Sequence, residues 1–170
     1  MECTHVAYSD ESFYNRGRYR SIAMVTLEAD SSEPFSRSVR RLLDESEVKE
    51  FKWQKLRQAR ERFAAQKLVD FVIEKALLGI LRVDVLTWDT EDSRHKIQGR
   101  DDIANLQRMY YHLFKDALKR WPGDSTWRLY PDENSALDWE TVRDYLDMAG
   151  LSLRLEPQTP SLFRIRLSHE

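Results

Sequence analysis

HVAYSDESFYNRGRYRSIAMVTLEAD, residues 5–30, sets how the chain begins to fold. His5–Tyr8 is a short apolar run that predicts a strand, and Ser9–Ser12 reads as the polar turn that ends it. After Asn15, Arg16 and Gly17 the pattern resumes over Tyr19–Leu27, so the two runs are expected to pair as a hairpin with Gly17 in the connection. The stretch leaves one question open. A strand aimed at a core here ends on two adjacent carboxylates, Asp10 and Glu11.

Working outward, Pro34 lies near an expected helix start, and Phe35, Val39, Leu42 and Leu43 share one helical face that ends near Asp44. SEVKEFKW, residues 46–53, reads as a loop or an edge strand. A long helix is expected from about Gln54 to Leu78, because Leu56, Ala59, Phe63, Val69, Val72, Ile73 and Ala76 recur at helical spacing before Gly79. Leu81, Val83 and Val85 alternate with Arg82, Asp84 and Leu86, which predicts a half-buried strand ending at Asp89. A polar loop follows over residues 90–100. Ile103, Leu106, Tyr110, Leu113, Phe114 and Ala117 mark the next helix, halted by Pro122 and Gly123.

STWRLYPDEN, residues 125–134, reads as a strand that again ends on acids, Asp132 and Glu133. Trp139, Val142, Tyr145, Leu146 and Ala149 give one more helix, with Gly150 placed to end it. LSLRLEP, residues 151–157, and SLFRIRLS, residues 161–168, alternate as strands. Helical crossovers between strands require parallel pairing, so an α/β fold is expected, with a mixed sheet flanked by helices over a single domain of residues 1–170.

The composition limits the function. With 41% hydrophobic and 33% charged residues and only five Gly and five Pro, a globular, helix-rich chain is expected. One cysteine, Cys3, excludes an internal disulfide, and the absence of an apolar leader or a spanning run predicts a cytoplasmic protein with no membrane partner. A net charge of −2 gives no global attraction for nucleic acid, so such binding needs a local patch. The histidines lack zinc-ligand spacing, and no glycine-rich phosphate loop appears.

Open α/β sheets place their sites where strand ends meet, and Asp10 and Asp132 each follow an apolar strand. Two carboxylates brought together repel, unless a hard divalent cation such as Mg²⁺ or Mn²⁺ neutralises them. The plain alternative is that each is a turn former or a helix cap.

Three segments in order, YSDES (residues 8–12), EFKW (50–53) and LYPDE (129–133), resemble the prokaryotic domain of unknown function family 3800, whose fold is similar to ribonuclease H. The resemblance spans about the whole chain. It implies a metal-dependent nuclease that cleaves phosphodiester bonds with Mg²⁺ or Mn²⁺. It also implies Asp10, Glu50 and Asp132 as metal ligands, with Glu11 as a further ligand or assisting acid and Lys52 holding a phosphate or balancing charge.

Two departures stand out. Phe13 replaces the glycine usual after Asp-Glu-Ser, and the helix that usually carries a final aspartate has no counterpart up to Glu170. The expectation that follows is that the last acid lies beyond this stretch, comes from another chain, or is lost in a catalytically inactive relative. Such a relative would be a binding module for a protein or nucleic acid in a mobile-element or phage-defence system. Nucleic-acid contacts are expected from Arg16, Arg18 and Arg20, which alternate along the second strand, and from Arg57 near Glu50. A homodimer joined through exposed late strands is a third reading.

Overall fold

The computed structural model describes residues 3–12, 17–52, 55–95, 97–132 and 136–156. The chain order is β1 (His5–Ser12), β2 (Tyr19–Glu28), α1 (Ala29–Glu45), α2 (Ala59–Leu77), β3 (Leu81–Asp89), α3 (Asp102–Leu118), β4 (Trp127–Pro131), α4 (Trp139–Met148) and β5 (Leu153–Leu155). The five strands form one sheet in the order β3-β2-β1-β4-β5. β1, β2 and β3 are antiparallel neighbours, whereas β4 lies parallel to β1 and β5 parallel to β4. The expected mixed sheet flanked by helices is what the chain forms.

Side-chain alternation sorts each strand between two layers. Ala7, Ile22, Met24, Trp88, Trp127 and Leu129 pack against the α3 and α4 side, with Leu106, Tyr110, Phe114, Val142 and Leu146. Val6, Leu27 and Leu81 face the other way onto Phe35, Val39, Phe71 and Val72 of α1 and α2. A third cluster of Val48, Phe51 and Ala64 ties the α1–α2 loop to the first half of α2 and contains no strand residue.

Several expectations are corrected. β1 does not stop at Tyr8: pairing with β2 continues through Asp10↔Ala23, Glu11↔Ile22 and Ser12↔Ser21, so both acids lie within the strand. α1 begins at Ala29, ahead of Pro34, which falls inside the helix. Residues 46–52 form a loop without strand pairing. α2 starts at Ala59 rather than Gln54, because tighter turns closed by Lys55 N–H to Lys52 O and Gln58 N–H to Lys55 O, each 2.9 Å, precede it.

The apolar stripe expected to bury α2 is partly outward. Phe63, Val69 and Ile73 are exposed, while Ala64 is buried and Phe71 and Val72 meet the sheet. In β3 the expected inner face is reversed beyond Leu81. Val83 and Val85 are exposed and Asp84 is buried, because β3 is an edge strand and its covered side is the one facing α3. Arg120 reaches over to pair with the Asp84 carboxylate, which makes that burial tolerable. In α4, Val142 and Leu146 are buried but Tyr145 is exposed. Phe13, Arg16, Trp53, Glu133 and the expected strand at residues 161–168 lie outside the described residues.

Candidate functional site at the ends of the central strands

The parallel pairing of β1 and β4 runs from His5↔Trp127 to Ser9↔Pro131. One further bond extends it, as the Asp132 N–H donates to the Ser9 carbonyl at 2.8 Å. Asp10 and Asp132 are therefore the next residues on two adjacent strands, whose backbones run about 5 Å apart. Both carboxylates share one layer by alternation: Asp10 follows Val6 and Tyr8, and Asp132 follows Tyr130, whose ring stacks on Tyr8 at 5.1 Å. The turn-former reading fails for Asp10, since its backbone is in the ladder.

Glu11 alternates to the opposite side, toward α3. There the Tyr110 hydroxyl donates a hydrogen bond to Glu11 Oε2. α3 is set by Asp101, whose side chain accepts from Ala104 N–H at 2.8 Å as an N-cap. Helical spacing then puts Leu106, Tyr110, Leu113, Phe114 and Ala117 on the buried face, and the Tyr110 ring lies edge-on to Trp139 at 4.9 Å.

Tyr110 is fully buried, and burial is the first reason its phenol is pushed well above the ordinary tyrosine range. The negative field of Glu11 and its hydrogen bond come next, followed by the fields of Asp10 and Asp132. Burial and the hydrogen bond to Glu11 thus tie the phenol to the acidic end of β1. Sequence reading placed Tyr110 in the core and missed its polar role. The signal was there, because a tyrosine with Leu106, Leu113 and Phe114 as helical neighbours must find a partner for its hydroxyl.

Glu50 lies in the α1–α2 loop, where its charged partner is Lys52 at 3.4 Å. Its other oxygen, Oε1, is buried without a hydrogen-bond partner. Of the three alternating arginines, Arg18 and Arg20 lie within the described residues, and both are ion-paired. Arg18 grips Asp89 through two nitrogens at 2.7–3.1 Å and pairs with Glu91 at 3.2 Å, while Arg20 is buried on Asp102 at 2.8 Å. These carboxylates already neutralise both guanidiniums, and Arg20 presents no surface to a phosphate. Arg57 is exposed, with no ion pair among the described residues.

Among the described residues no three His, Cys, Asp or Glu side chains form a group able to hold a metal ion. The Asp10–Asp132 pair supplies two hard oxygen donors on adjacent strands. That set fits Mg²⁺ or Mn²⁺, because such ions keep several waters and need only one or two protein carboxylates.

Three antiparallel strands followed by two parallel ones reached through helices define a ribonuclease H-like fold. A chain in the structure of the PCNA:RNase HII complex from Archaeoglobus fulgidus matches it with a TM-score of 0.55 and 19% identity, over 90% of this chain and 62% of that one. No family model matches the sequence, so the resemblance to domain of unknown function family 3800 is unsupported and the likeness in fold is what stands. Among curated proteins, the uncharacterized protein ORF2' of Methanothermobacter thermautotrophicus is 46% identical over 160 residues, and ORF2 of the same organism is 42% identical over 172. The alignments take in 89% and 96% of this chain but only 56% and 58% of those proteins. No helix among the described residues is long and apolar enough to cross a membrane.

Proposed function

We propose that this chain is the ribonuclease H-like part of a divalent-metal-dependent nuclease acting on the phosphodiester bonds of nucleic acid. The observation that carries the reading is the register of β1 on β4, which makes Asp10 and Asp132 the next residues on adjacent strands, with Glu11 following Asp10 in β1. The likeness in fold to a chain of the complex containing RNase HII supports it.

In this reading Asp10 and Asp132 hold the ion, and Glu11 adds a third negative charge at the end of β1. A bound Mg²⁺ or Mn²⁺ supplies a water of lowered pKa and charge stabilisation for the leaving oxygen. Glu50, with its unpartnered oxygen, is the candidate for a further carboxylate ligand, and Lys52 beside it neutralises a substrate phosphate. Arg57 contacts the nucleic-acid backbone.

A second reading, a non-catalytic binding module of the same fold, draws on one observation: no three-residue metal group forms among the described residues. One experiment separates the two. Labelled RNA and DNA are incubated with Mn²⁺ and either wild type or Asp10→Ala, and Mn²⁺ uptake is followed by calorimetry in wild type and Asp132→Ala. The nuclease reading expects cleavage lost in Asp10→Ala and heat lost in Asp132→Ala. Equal cleavage in wild type and Asp10→Ala, or no heat in wild type, removes it.

A further inference from the structure

We propose that Tyr110 is a positioning residue whose hydroxyl holds Glu11 at the acidic strand end, a role that rests on the metal-dependent reading above. Strand alternation sends Glu11 to the α3 side of β1, away from the layer that Asp10 and Asp132 share. A glutamate there has three rotatable bonds and two neighbouring like charges, so repulsion favours swinging outward. The Tyr110 hydroxyl opposes this. It donates to Glu11 Oε2 from a ring that is fully buried and fixed by Trp139 at 4.9 Å and Phe114 at 5.6 Å.

The anchor is rigid for reasons independent of the acids. Tyr110 lies two turns inside α3, and the start of that helix is capped by Asp101 and joined to β2 through the Arg20–Asp102 ion pair at 2.8 Å. A phenol also suits the position better than a lysine or arginine would. It donates one hydrogen bond without adding a positive charge that would compete with a cation for the same carboxylates. Removing an outer partner of this kind typically weakens metal binding 10- to 100-fold.

Tyr110→Phe keeps the ring and deletes only the donor. Two measurements test the role. In chelator, melting temperatures are compared for wild type, Tyr110→Phe, Glu11→Ala and the double variant. The expected result is that Tyr110→Phe lowers the melting temperature in the wild-type background but not beside Glu11→Ala, where the hydroxyl has lost its acceptor and its removal costs nothing. An equal loss in both backgrounds overturns the proposal, since the hydroxyl would then serve packing alone.

Calorimetry then compares Mn²⁺ binding to folded wild type and Tyr110→Phe. Binding about tenfold weaker or more is expected, and equal binding overturns the positioning role while leaving the nuclease reading intact. A wild type that takes up no Mn²⁺ overturns both.

Discussion

His5 opens β1 with its ring against Trp121 and Trp127, at 4.7 and 4.9 Å between centroids, and a ring nitrogen 2.8 Å from the Thr4 hydroxyl. Burial lowers its pKa, and the fields of Glu28 and Asp124 offset only part of that. His112 is lowered as well, first by burial and then by Arg108 and Lys115. Both rings are thus more easily protonated in the unfolded chain than in the folded one. The stability they contribute is complete above the ordinary histidine pKa of about 6.5 and is lost as pH falls below it. The melting temperature is expected to drop between pH 7.5 and 5.5, and by less in His5→Gln. A drop of the same size in both proteins would rule out His5 as a source.

At the scale of elements, the end of α1 shows local chemistry and backbone geometry in conflict. Glu47 N–H bonds to Asp44 O and Val48 N–H to Leu43 O, both at 2.9 Å, and Val48 packs with Leu43. This is the glycine-type helix stop, yet the residue with φ of 54° is a glutamate. A side chain in the left-handed region is strained, so Glu47→Gly is expected to stabilise the fold by about 0.5–1 kcal/mol, read from urea unfolding. Its ion pair with Arg60 is exposed and little is lost with it. The sequence has no glycine to mark this stop, and only the apolar face ending near Asp44 bounds α1 in it. α2 was harder to read. Its apolar residues keep helical spacing whether they face the sheet, as Phe71 and Val72 do, or solvent, as Phe63 and Ile73 do.

For the whole molecule, the sheet order leaves β3 and the three-residue β5 at the edges. β3 is nine residues long, with Val83 and Val85 exposed on the side away from α3. Val85→Lys should change stability by no more than about 0.5 kcal/mol. Ile22→Ala, one strand inward and fully buried, should cost about 2–5 kcal/mol. Urea unfolding of the two variants checks the contrast, and similar losses would mean that the outer face of β3 is covered in solution.

That β1 and β4 are parallel neighbours came from the tertiary structure; the sequence by itself determined most of the strand and helix order, the mixed sheet implied by helical crossovers, and the carboxylates that follow two apolar runs. These follow from local periodicity and from the reach of short connections, which operate within a few residues. Only the tertiary structure decided that Glu11 turns toward α3, that Tyr110 meets it across 99 positions, that Arg20 is claimed by Asp102, and that Asp84 rather than Val83 is buried in β3. Each of these depends on which layer covers which face of a strand. A carboxylate or an arginine reads the same in the chain whether the group that meets it is solvent, an ion or a buried phenol.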